Sequence, residues 1–107
     1  MAPAASIERL PTAGGAPARL QLRGPLTFAT AAAAWHDGLR ALEDCDAALI
    51  EIDCSGIERA DSAGLAVLIE WLAWGARRDR QVRLQALPAT LVDIARISEL
   101  EDLVQAN

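Results

Sequence analysis

Asp61 and Ser62 stand side by side in the run "RADSAGLAVLI", residues 59–69 of this 107-residue chain, followed by Gly64 and an apolar stretch. The pair admits two kinds of chemistry. A serine hydroxyl at a helix start is a preferred cap, because it satisfies a first-turn N–H that has no partner inside the helix. It is also a phosphoryl acceptor placed where the helix dipole favours negative charge. Leu65 occupies the position where a capping box needs Glu or Gln, so the reciprocal cap is absent. A phosphate on Ser62 would bring about 1.5–2 negative charges beside Asp61 and disturb any docked partner. The residues alone leave these two readings even.

The remaining reactive groups are sparser. His36 is the only histidine, next to Asp37, with no Ser or Cys near it in sequence to suggest a triad. Asp53 and Asp61 lie at a strand end and a helix start, without metal-ligand spacing or a phosphate-cradling glycine loop. Asp53 reads as structural and Asp61 as shaping a loop. Cys45 and Cys54 lack CxxC spacing and read as reduced thiols. No catalysis, metal or cofactor is expected.

These residues need a frame, and the bulk properties suggest one folded domain over 1–107. At 52% hydrophobic residues the chain can bury a modest core, which argues against disorder. All ten basic residues are Arg, the net charge is −5, and no basic stripe is present, so a nucleic-acid partner is not expected. No stretch reaches the roughly 18–20 apolar residues of a membrane span, so direct membrane insertion is not expected either. The first residues, "MAPAASIERL", lack the pattern of a signal peptide, and the cytoplasm is the default location.

Hydropathy patterning gives an α/β order. Residues 6–24 read as a hairpin whose loop holds Pro11, Gly14, Gly15 and Pro17, with Leu20 and Leu22 alternating against Gln21 and Arg23. From Thr27 to about Leu42, Phe28, Ala31, Ala32, Trp35, Leu39 and Leu42 recur at helical steps, which makes Trp35 a core residue. "AALIEID" (47–53) reads as a central strand, a helix runs from Ser62 to about Arg78, and "VRLQAL" (82–87) is the next strand. Pro88 suits the first turn of a third helix, and "SELEDLVQAN" (98–107) ends the chain with a helical turn or two. The order is ββαβαβα, with strands backed by helices on one main face.

On a wheel, residues 62–78 separate into two apolar groups. Leu65, Leu68, Ile69, Leu72 and Ala76 form a sheet-packing stripe, while Val67, Trp71 and Trp74 lie roughly opposite, flanked by Glu70, Arg77 and Arg78. A helix covered on both faces is hard to arrange in a small domain. The second group is therefore expected to be exposed, with the Trp and Arg composition of an interface hot spot.

The stretch "IDCSGIERADSAGLAVLIEWL" (52–72) resembles the signature of STAS domains, the module of sulfate transporters and anti-sigma factor antagonists. It has a strand ending at Ile52–Asp53, an apolar anchor at Ile57, and Asp61, Ser62, Ala63, Gly64 and Leu65 opening a helix. "LRGPLTFATA" (22–31) is similar to the family's turn into its first helix, and "IARISELEDLV" (94–104) to its closing helix. The resemblance spans about residues 5–104 and implies a STAS-like single domain with a mixed β-sheet, and a protein that works by binding. In the anti-sigma factor antagonist branch, the Ser after Asp is phosphorylated by a partner serine kinase, and Ser62 takes that position. In the small STAS subunit of the Mla phospholipid-transport ABC complex, the same position lies against the ATPase subunit. Ala63, where switch proteins often carry a second hydroxyl, favours the second branch. Thr27 stands where the family often has an acidic residue. The expectation is a cytoplasmic subunit, peripheral to the inner membrane, that binds the ATPase through Asp61, Ser62, Ala63, Gly64, Leu65, Val67, Trp71 and Trp74. A small-ligand sensor has no support beyond the breadth of the family.

Overall fold

A computed structural model describes residues 4–14 and 16–105; Gly15 of the hairpin loop and the two chain ends lie outside the described residues. The elements run β1 (Ser6–Leu10), β2 (Ala18–Leu26), α1 (Ala31–Glu43), β3 (Leu49–Ala60), α2 (Ser62–Arg77), β4 (Gln81–Gln85), α3 (Ala89–Ile97) and α4 (Glu101–Gln105). The strands form one sheet in the order β1-β2-β3-β4, antiparallel between β1 and β2 and parallel thereafter. The α/β class, the mixed sheet and the element order agree with the sequence patterning, with α4 resolving the last helical turns as a separate element.

Alternation along the strands sorts the two sheet faces. Ala18, Leu20 and Leu22 of β2, Ile50, Ile52 and Cys54 of β3, and Val82 and Leu84 of β4 are buried beneath the helices. The opposite face is polar. Arg19, Glu51 and Arg83 share one row across β2, β3 and β4. There Arg19 pairs with Glu51 at 3.7 Å, and Gln85 donates to the same carboxylate at 2.8 Å. A one-residue slip of β3 would turn this charge into the core, so the register is strongly specified.

Helix α2 overturns the expected exposure of Trp71 and Trp74. Trp71 is 0% exposed and Trp74 3%, and Val67 is buried too, whereas Trp35, expected in the core, is 40% exposed. At about 100° per residue, the buried positions of α2 fall on one continuous arc of about 180°. Gly64 and Gly75 hold the centre of that arc, with Trp71 and Leu68 on either side of them. Glycines carry no hydropathy signal, so the apolar groups on either side read as separate faces. They are one face, enclosed on both flanks.

Helix α1 supplies one flank: the Trp71 ring lies against Gly38, and its Nε1 donates to the Trp35 carbonyl at 3.3 Å. On the other flank α2 meets β4, α3 and α4. Trp74 is roofed by guanidinium groups, with Arg78 at 5.1 Å and Arg80 at 5.6 Å from its ring centroid. The packed face of α1 is correspondingly Ala34, Gly38 and Leu42 rather than the stripe through Phe28 and Trp35.

Candidate functional site

The parallel pairing of β2 with β3 sets the site. Leu26 and Ala60 are register partners at the ends of the two strands, so the turn leaving β2 and the residue opening α2 emerge together. Asp61 ties them. Its N–H donates to the Leu26 carbonyl at 3.4 Å, and its extended backbone (φ −137°, ψ −171°) makes it the N-cap of α2. One carboxylate oxygen accepts from the N–H groups of Ala63 at 3.0 Å and Gly64 at 3.2 Å. The other accepts from the Phe28 N–H at 2.9 Å. The Phe28 bond, reinforced by those from Gly64 and Ala63, holds the Asp61 carboxyl below its ordinary range.

The cap is therefore Asp61, not Ser62. A carboxylate reaches two first-turn N–H groups and a third from another segment, which a hydroxyl cannot do. Ser62 is left as an exposed residue of the first turn. Gly64 is required by close approach, but to its own chain: a Cβ there would run into the Leu26 carbonyl, so the helix start rests on the end of β2.

The turn between β2 and α1 is braced from within. The buried Thr30 hydroxyl donates to the Pro25 carbonyl at 2.7 Å and accepts from the Thr27 N–H at 3.0 Å. With its backbone held by Asp61, Phe28 projects outward and is 85% exposed. It stands at one end of an open apolar groove of about 500 Å³. One wall is Phe28 with Ala31, Ala32 and Trp35, and the other is Ala63, Ala66, Val67 and Glu70 of α2.

The residues singled out in the sequence thus take different places. Asp61 has its acceptors engaged, Ser62 is on the surface, and Ala63 and Val67 line the groove. Gly64, Leu65, Trp71 and Trp74 belong to the interior. Sequence reasoning missed Phe28, Ala31, Ala32, Trp35 and Ala66 as surface residues of the site. The available signal was Phe28 itself, a large apolar residue after Gly24, Pro25 and Thr27, where the chain turns before its helix begins.

The other reactive groups lie elsewhere or are muted. His36 is exposed, its ring tilted beside Trp35 at 6.5 Å between centroids. Asp53, on the polar side of the sheet, accepts from the Ser55 N–H at 2.9 Å, and that bond holds its carboxyl below the usual range. Burial raises the Cys45 thiol and pushes Cys54 up to about 12, which favours the neutral thiol in both.

The family described as "Mlab, STAS domain" matches residues 11–105. The chain belongs to the STAS-domain family. No functionally curated protein matches it by sequence. A solved structure of the anti-sigma factor antagonist SpoIIAA in its unphosphorylated form is similar with a TM-score of 0.66, over 90% of this chain and 83% of that one. Identity is 12%, so the likeness is one of fold. Within the STAS fold of this chain, the Asp-Ser-x-Gly-Leu run sits at the junction of β3 and α2, beside the groove. No helix among the described residues is long and apolar enough to cross a membrane.

Proposed function

We propose that this STAS domain is a non-enzymatic subunit that docks onto the ATPase of an Mla-type phospholipid-transport ABC complex. The docking surface is the first turn of α2 with the adjoining groove. The observation that carries the reading is the exposed aromatic and apolar surface of Phe28 and Trp35 beside the α2 start that carries Ser62. A large exposed apolar patch bordered by polar groups is the character of an interface. The chemistry around it supports binding over catalysis: the Asp61 carboxylate is occupied by backbone N–H groups, and the groove has one ionisable lining residue, Glu70. The transporter branch is supported by the description of the matching family, which names Mlab. In that role the domain lies in the cytoplasm against the inner membrane, held there by the complex.

A second reading, an anti-sigma factor antagonist switched by phosphorylation of Ser62, is supported by the fold of SpoIIAA and by the exposed hydroxyl beside Asp61. Purifying the tagged chain from its own cells separates the two. Stoichiometric co-purification of an ABC ATPase, with Ser62 unmodified by intact mass, is the expected result. Co-purification of a serine kinase, with a phosphate on Ser62, would reject the transporter reading.

A further inference from the structure

The groove restricts what can fill it. Beyond the Phe28 turn both walls are helical, and a helix offers no strand edge for an incoming strand to ladder onto. The occupant must satisfy its own backbone. Ala31 and Ala32 face Ala63 and Ala66 across the groove, and side chains this short let another backbone approach closely. A helix nested between α1 and α2 meets both conditions, with Phe28 and Trp35 packing along one of its sides.

Charge restricts the occupant further. Among the described residues, Glu70 is the only acidic or basic side chain lining the groove, and none of the ion pairs involves it. A helix laid over the groove would strip water from this carboxylate, which is unfavourable unless a cation replaces the water. We propose that the partner's docking element is an amphipathic helix whose apolar face fills this groove and whose Arg or Lys side chain pairs with Glu70. This rests on the docking reading above and specifies the partner's chemistry.

The test is a calorimetric titration of the full chain with the purified ABC ATPase subunit from the same cells. Glu70→Arg should weaken binding about thirtyfold or more, and Glu70→Gln by less, because truncating or reversing one member of a covered charge pair leaves the other unpaired. Reversing the matching basic residue of the ATPase to Glu should restore binding to Glu70→Arg alone. Both Glu70 variants alter an exposed position and should melt as the wild type does. If Glu70→Arg binds like the wild type while Phe28→Ala and Trp35→Ala bind weakly, the pairing cation is refuted and the docking surface stands. If the wild type does not bind the ATPase, both readings fall together. If sedimentation shows a dimer of this chain that Glu70→Arg dissociates, the occupant is a second copy and the partner helix is refuted.

Discussion

Gly38→Ala sets two effects of opposite sign against each other. Gly38 lies inside α1, where replacing glycine by alanine normally stabilises a helix by about 1 kcal/mol. Here the new Cβ would fall within the Trp71 ring, close to Cζ2, Cε2 and Nε1. The ring has nowhere to retreat, since it is 0% exposed and anchored by its bond to the Trp35 carbonyl. Overpacking of this kind costs about 1–3 kcal/mol, and dislodging a buried indole N–H from its acceptor adds about 1–3 kcal/mol. Packing should win, for a net loss of about 1–5 kcal/mol. Urea unfolding followed by circular dichroism measures it directly. In a Trp71→Leu background the clash is gone, so the same Gly38→Ala change should become neutral or stabilising by up to about 1 kcal/mol. An equal loss in both backgrounds, or stabilisation of the wild type, would refute the packing described for these two helices.

Three further outcomes follow from the same geometry. Trp74→Ala should destabilise by about 3–5 kcal/mol as a buried large-to-small change, while Trp35→Ala should cost about 1 kcal/mol and weaken partner binding, with denaturant melts and titration as the readouts. Asp61→Asn should cost about 1–2 kcal/mol near pH 7, because an amide cannot accept at both of its positions. Since folding lowers the Asp61 pKa, its ionised contribution is complete above the ordinary carboxylate pKa of about 4 and is lost as pH falls through the folded value. The gap between wild type and Asp61→Asn should therefore narrow below about pH 4; a constant gap would mean the charge contributes nothing. Ser62→Glu should keep the fold by circular dichroism, as negative charge suits a helix start, but weaken partner binding by several kcal/mol, and undiminished binding would remove Ser62 from the interface.

The frame of this domain was legible because its signals are periodic and its punctuation is chemical. Leu20 and Leu22 alternating with polar residues, the proline before α3, and the Asp-Ser-x-Gly-Leu run at a strand end each point to one local structure. The role of Asp61 in shaping the loop was readable as well, since an acidic residue before a helix has first-turn N–H groups to accept from. The reach of Asp61 to Phe28 was not readable, because it depends on β2 and β3 ending side by side, which is a fact of the sheet.

The misplaced tryptophans show why helical phase fails to locate a binding face. Phase says which residues share a side of a helix, and it does not say what lies against that side. Phe28 and Trp35 are in phase with Ala31 and Ala32, and those four residues do share a side, but the side forms the groove wall. The core side of α1 is marked instead by Gly38, whose missing side chain leaves room for Trp71. Glycine plays the same part at Gly64, beneath which the Leu26 carbonyl lies. At both places the tightest packing is made by the residue with no hydropathy to report. Reading glycines within a helix as marks of close approach would have put a buried neighbour against Gly38, which in the fold is Trp71. Trp35, on the same helix as Gly38 but off its glycine-marked face, is then the tryptophan left exposed on the groove wall.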